Sequence, residues 1–257
     1  MNIIDFIPTE QLRPFIKTYR IIESEDELVN RVLPSTSLAI AFRCKGYVNY
    51  IKENRHEKLP VSTISGIRKS VRLINYAKDT ATLIIQFKEA GAKAFFKEPL
   101  HELFEESVSL DNFIPQQKIA IIEELLMEAK TNNQKIAVIE QFLLSRLHNY
   151  KPDNLISAAI TIIQSKKGIV KIKELADALF ISQDAFEKRF RKTKGSSPKQ
   201  YCYVVRIKSI IDHKQKNQNL IDLAIDAGYF DQPHFNKDFK LFTGQTPSEF
   251  FNFPSFW

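Results

Sequence analysis

Along the first ninety residues, apolar and polar positions change over in short runs that are broken by Pro34, Gly46, Pro60 and the polar stretch 76–80. Four of these runs, 37–44, 47–51, 62–67 and 82–87, are rich in β-branched and aromatic residues and read as strands. From Ala92 the spacing lengthens. Segments 99–107, 115–129 and 134–149 place apolar residues three and four apart, as in Ile119, Ile122 and Leu126, then Ile136, Ile139, Leu143 and Leu147. That is the period of a helix with one buried face. Residues 149–153 are polar and include Pro152, which makes them the expected domain boundary, and everything beyond reads as helix. The pattern therefore predicts an α+β N-terminal domain over residues 1–150, β-rich and then helical, followed by an all-α C-terminal domain over 151–257.

The helical part matches itself at an offset of 49 residues. Gln183/Gln232, Phe186/Phe235, Lys188/Lys237, Phe190/Phe239, Gly195/Gly244 and Pro198/Pro247 are identical pairs. Upstream, Leu175-Ala176 matches Leu223-Ala224 at an offset of 48, so one extra residue sits in the turn near Ala227-Gly228. A repeat that keeps a glycine, a proline and two phenylalanines in register describes a duplicated structural unit. Each copy, about 171–195 and 219–244, has two short helices joined by a tight turn. Ser182 and Asp231 are natural N-caps, the phenylalanine pairs four apart point inward, and Gly195 and Gly244 end the second helix. Ser197-Pro198-Lys199-Gln200 and Thr246-Pro247-Ser248-Glu249 then read as capping boxes with proline at the first helical position. The first opens a linker helix over about 198–213.

Two helix-turn-helix units at this separation suit successive major grooves of a duplex. On the outward face of each second helix, Gln183, Asp184, Glu187 and Lys188, and then Gln232, Pro233, His234, Asn236 and Lys237, are candidates for reading base edges. Ser182, Arg191, Lys192, Asp231 and Lys240 are candidates for holding phosphates. Asp184 and Glu187 would repel phosphate, so they face either a base donor or solvent. His234 suits either a DNA contact or a local capping role. Charge agrees with the placement: of the net +7, residues 151–257 carry +6 (17 Lys and Arg against 11 Asp and Glu) and residues 1–150 carry +1.

Other chemistries find little support in the sequence. Cys44 and Cys202 stand far apart without neighbouring thiols, and His56, His101, His148 and His213 lack metal-ligand spacing. There is no Gly-x-Ser-x-Gly elbow and no glycine-rich phosphate loop. We expect no catalytic residues, no metal and no cofactor. Apolar runs fall short of the roughly 18 residues that a membrane span needs, and the expected location is the cytoplasm. Arg43, Arg68 and Arg72, near the predicted strands, either line a pocket for an anionic effector or lie scattered at the surface.

The second copy, from Leu220 through Gly228-Tyr229-Phe230-Asp231-Gln232-Pro233-His234-Phe235 to Gly244-Gln245-Thr246-Pro247, resembles the signature of AraC/XylS-type transcriptional regulators. The first copy is similar to the family's more variable first reader, and together they span about 153–252. Leu33-Pro34, the segment 86–92, Phe95-Phe96, Pro99 and the segment 108–111 resemble the domain that precedes the reader in one branch of the family. The resemblance implies base contacts from the nine residues named above. Pro233 stands where serine is common, and Asp184 where several relatives have a large or basic side chain. Double-stranded DNA is the implied partner. A small-molecule effector, a homodimer and, for an activator, RNA polymerase are further expectations. Two alternatives are a ligand- or partner-binding protein with a vestigial reader, and an enzyme domain fused to a DNA-binding module.

Overall fold

The computed structural model describes residues 1–53, 55–214 and 218–252. The N-terminal half holds two antiparallel sheets. The larger runs in the order β1 (Asn2–Phe6), β2 (Ile16–Ser24), β9 (Thr80–Phe87), β4 (Ala39–Lys45), β7 (Ser62–Ser65), β10 (Ser107–Ser109). The smaller is β3 (Leu28–Val32), β8 (Arg72–Tyr76), β5 (Val48–Lys52), β6 (Arg55–Lys58). Side chains alternate across a strand. In the larger sheet, Tyr19, Ile21, Ile40, Phe42, Ile64, Leu83 and Ile85 therefore fall on one face, where they form one core with α1 (Gln116–Glu128) and α2 (Asn132–Arg146). The intervening residues, among them Arg20, Ile22, Ala41, Arg43, Thr63, Thr82 and Ile84, line a cavity that the smaller sheet closes with Val48, Tyr50, Ile74 and Tyr76.

The four expected strands are present, and the structure adds β1, β2, β3, β6, β8 and β10. The helix expected over 99–107 is instead a single 3-10 turn, Leu100–Leu103, followed by β10. Leu100 and Leu103 are both buried, so the three-residue spacing that suggested a helix is satisfied by one tight turn.

Beyond the boundary the chain forms α3 (Asn154–Ser165), α4 (Ile172–Ala178), α5 (Gln183–Lys194), α6 (Pro198–His213), α7 (Leu220–Asp226), α8 (Gln232–Thr243) and α9 (Pro247–Asn252). The repeat is visible as two separate cores. Ile156, Ala159 and Ile163 of α3 pack with Leu175, Ala176, Phe186, Phe190, Tyr201 and Cys202. Val204, Ile207 and Ile210 of α6 pack with Leu223, Ala224, Phe235, Phe239, Phe242 and Phe250. Each core is built on an aromatic chain of the same shape. Ring centroids of Phe186–Phe190 and Phe190–Tyr201 lie 5.7 and 5.5 Å apart, and those of Phe235–Phe239 and Phe239–Phe250 lie 5.6 and 5.3 Å apart, all edge-on. The linker helix thus belongs to both units, closing the first with its opening turn and founding the second with the rest.

The two halves touch at the far ends of α5 and α8. Lys194, in the last turn of α5, is fully buried; its Nζ pairs with the Glu89 carboxylate, donates to the carbonyl of Thr36 at 3.3 Å and sits 5.1 Å from the centre of the Tyr201 ring. Burial holds this ammonium below its ordinary range although Glu89 pulls the other way. Gly195, left-handed at φ 79°, follows at once, and a Cβ there would stand 3.0 Å from the carbonyl oxygen of Leu100. At α8, the amide of Val71 donates to the carbonyl of Leu241 at 3.3 Å, and Leu33 packs on the second core.

Phe190→Ala and Phe239→Ala should each cost about 3–5 kcal/mol through the cavity left in its own unit. A thermal melt unchanged from the parent would contradict their core placement. Glu89→Gln strands the buried Lys194 cation and should cost about 3 kcal/mol, at the lower end for a broken buried pair because Glu89 keeps some solvent contact. The double change Glu89→Gln with Lys194→Met should recover part of that loss in the same melt.

Candidate nucleic-acid interface

Local chemistry sets both second helices with little freedom. Ser182 Oγ accepts from the amide of Ala185 at 3.4 Å, and Asp231 Oδ1 from the amide of His234 at 2.8 Å, so the expected caps start α5 and α8. Gly195 and Gly244, at φ 79° and 80°, stop them with a left-handed residue. Both capping boxes form: Ser197 with Gln200 at the head of α6, and Thr246 with Glu249 at the head of α9.

With the phenylalanines turned inward, the outward faces carry the expected residues. Ser182, Gln183, Asp184, Lys188, Arg191 and Lys192 are exposed on the first unit and Glu187 is half-buried. On the second, Asp231, Gln232, Pro233, His234, Lys237 and Lys240 are exposed and Asn236 is half-buried. All fourteen candidates therefore lie at or near the solvent surface of these two helices or at their caps.

Several are already engaged. Gln183 Nε2 donates to Glu187 Oε1 at 2.9 Å, one turn along. His234 Nε2 stands 3.6 Å from Asp238 Oδ2, with its ring edge-on to Tyr229 at 5.3 Å. Asp238 is itself held, accepting from the Tyr229 hydroxyl at 3.1 Å through its carboxylate and from the Tyr203 hydroxyl at 2.9 Å through its carbonyl. The side-chain oxygens of Ser182 and Asp231 are occupied by capping.

Three features escaped the sequence. Arg189, outward and exposed on α5, is not free. It forms a two-pronged pair with Asp153 at 2.6 and 2.9 Å, and Asp153 also caps α3 through the amide of Ile156. Nothing in the repeat marks it, because its counterpart is Asp238. Phe180 and Phe230, in the turns before α5 and α8, are 98% and 97% exposed, although aromatic residues normally signal core. Phe180 holds φ 55°, the left-handed turn position that Gly228 fills in the second copy at φ 75°. The buried Lys194 is the third. Its counterpart Thr243 turns inward to the carbonyls of Phe239 and Gln245, both at 2.8 Å, so the repeat gave no hint of a charge at this place.

Among the described residues no helix is long and apolar enough to cross a membrane.

Two family models match separate stretches of the chain. Residues 175–252 match the model of a helix-turn-helix domain, and residues 4–109 that of a domain of unknown function, DUF6597. An uncharacterized HTH-type transcriptional regulator of Haemophilus influenzae is 31% identical over 97 residues, which cover 37% of this chain and 33% of that protein. The Msm operon regulatory protein of Streptococcus mutans is 28% identical over 153 residues, covering 58% of this chain and 55% of that protein. The chain thus spans a third to about half the length of these curated relatives. Among solved structures, ToxT from Vibrio cholerae aligns at a TM-score of 0.47 and 11% identity over 91% of this chain and 96% of its own. The C-terminal domain of AraT, a response regulator from Geobacillus stearothermophilus, aligns at a TM-score of 0.38 and 16% identity over 42% of this chain and 92% of its own. Its duplicated C-terminal helices thus form an AraC-type helix-turn-helix domain.

Proposed function

We propose that the chain is a sequence-specific DNA-binding transcription regulator whose helices α5 and α8 enter successive major-groove segments of an asymmetric site. The observation that carries this reading is the pair of matched four-helix cores sharing one continuous helix. The sixteen residues of α6 rise about 24 Å, a rigid spacer of the order needed between grooves roughly 34 Å apart along one face of the duplex. Gln183, Asp184, Glu187 and Lys188 on the first unit, and Gln232, Pro233, His234, Asn236 and Lys237 on the second, are assigned to base edges. Arg191, Lys192 and Lys240 are assigned to phosphates, with Ser182 and Asp231 fixing the helix starts beside the backbone. The relatives' printed names, a transcriptional regulator and an operon regulatory protein, support the same reading.

Residues 1–150 are assigned to regulation, by sensing a small molecule, by dimerising, or by both. The cavity between the sheets supports sensing. Ile121 and Leu125, exposed one turn apart on α1, support pairing with a second copy. RNA polymerase is the further partner if the protein activates.

Lys188→Ala and Lys237→Ala should each weaken specific binding by about 1–3 kcal/mol and relax a different half of the selected site. Unchanged footprints in both variants would overturn the assignment of the recognition faces. A fragment of residues 151–257 should bind the same selected site, and its affinity should fall with salt at a log–log slope of about −4 to −7 if it neutralises roughly five to eight phosphates. Residues 1–150 should not bind. A folded 151–257 fragment with bulk-DNA affinity only would favour the vestigial reader instead.

A further inference from the structure

The cavity between the two sheets encloses about 830 Å³, within the range of small-molecule sites. Its walls have an unusual composition for the inside of a sandwich, where facing sheets normally interdigitate apolar side chains. Eight wall residues are Lys or Arg and one, Glu89, is acidic and already committed to Lys194. Between the charges lie apolar surfaces from Ile22, Val48, Ile74 and Ile84.

Most of the wall arginines have partners. Arg20 makes two bonds of 2.8 Å to the Asp5 carboxylate, and Arg43 donates to the carbonyl of Leu59 at 3.0 Å. Arg72 donates to the Ser107 hydroxyl and the Glu105 carbonyl, with its guanidinium 5.2 Å from the centre of the Tyr50 ring. Arg68 differs. It is only 7% exposed, yet its Nη1 has no hydrogen-bond partner among the described residues, and Thr82 Oγ1 on the same cavity wall has none either. The nearby Glu105 carboxylate serves the amide of Lys69 at 2.7 Å and the Ser70 hydroxyl at 3.3 Å instead. Burial first, and the neighbouring Arg72 second, push the Arg68 guanidinium down to about 10 against the weaker upward pull of Glu105, which still leaves it charged at neutral pH.

A buried cation with no hydrogen-bonded counter-charge is costly, and a guanidinium fork matches the paired oxygens of an oxyanion. We infer that this cavity binds a small organic anion with an apolar body, with the Arg68 guanidinium holding the anionic group and the isoleucine and valine walls holding the rest. The inference deepens the assignment of sensing to residues 1–150 and rests on it. Inorganic anions would meet the charge and leave the apolar walls uncovered. Neutral ligands would leave Arg68 unpaired.

Two fluorescent probes with one framework separate these cases on the full chain: 8-anilinonaphthalene-1-sulfonate and its uncharged parent N-phenyl-1-naphthylamine. The sulfonate should bind at least about tenfold tighter than the parent and raise the melting temperature. Arg68→Gln should remove that preference while leaving affinity for the uncharged parent unchanged, and Arg68→Lys should keep part of it. Because the change deletes an unpaired buried cation, the Gln variant should melt no lower than the wild type. The wild type gives a second readout that needs no variant: 1-naphthoate should displace the sulfonate probe at least about tenfold better than 1-naphthalenemethanol. Equal binding of the two probes, an unchanged preference in Arg68→Gln, or displacement by inorganic phosphate as effective as by 1-naphthoate would overturn the inference. DNA binding by the ligand-free chain is measured in parallel. Its absence would count against the regulator reading, and failure of the probe series would leave that reading in place.

Discussion

The buried ammonium of Lys194 is where the two halves are made one structure. It terminates α5, lies over Tyr201 of α6, and finds its charge partner in Glu89 and its carbonyl in Thr36 of the N-terminal half. A desolvated cation tolerates little displacement from its partners, so this contact fixes the first helix-turn-helix unit against the sheets. The second unit is tied to the first through the shared α6 and to the sheets through Val71 and Leu33. The same short loop does several jobs. Leu33 packs on the second core, Thr36 receives Lys194, and residues 33–39 together with Glu89 form part of the cavity wall. The surface that surrounds the cavity is therefore continuous with the surface that positions both units.

That arrangement follows from the two-sided nature of the larger sheet. One face is apolar apart from the Tyr19 hydroxyl and Ser62, which donates to Glu123 of α1 at 2.6 Å, and it supplies the main core with α1 and α2. Burial of that face stabilises the sheet by roughly 25 cal/mol per Å² of apolar surface removed from water. The cavity face is thereby free to carry arginines, threonines and a glutamine, which would be poor core residues. Core and cavity wall are separated by the strand period of two. In β9 alone, Leu83, Ile85 and Phe87 belong to the core, and Thr82, Ile84 and Gln86 to the cavity.

Legibility differed sharply between the halves. In the C-terminal half nearly every signal was local: caps one turn from their amides, a left-handed glycine after each second helix, inward phenylalanines four apart. Such signals act within a few residues, so the chain alone displays them, and α6 runs over the same Pro198–His213 that its capping box and apolar spacing implied. The N-terminal half depends on distant pairings. β6 is Arg-His-Glu-Lys, all exposed, and is a strand only because β5 offers it a hydrogen-bonding edge. β2 mixes Lys17, Thr18 and Arg20 into its apolar run because two of its positions, Lys17 and Arg20, border the cavity, which weakens the strand pattern. The candidate interface was legible as a list of outward residues; the ties among them were not, since Arg189 and Lys194 owe their roles to partners 36 and 105 positions away.

Those ties bear on the acidic residues that look out of place on a helix proposed to face DNA. Glu187 holds the Gln183 amide one turn back, and Asp238 stands under His234 while being held in turn by Tyr229. Each carboxylate lies toward the inner edge of its face, half-buried, with a polar side chain outside it. An amide or imidazole held in place before binding loses less rotamer freedom when it meets a base, which raises affinity without adding a contact. The two pairings occupy different registers of the repeat, 183 with 187 in one copy and 234 with 238 in the other. Units with the same core thus present different prearranged groups. Equal folds with unequal surfaces are what the proposed reading of an asymmetric site requires.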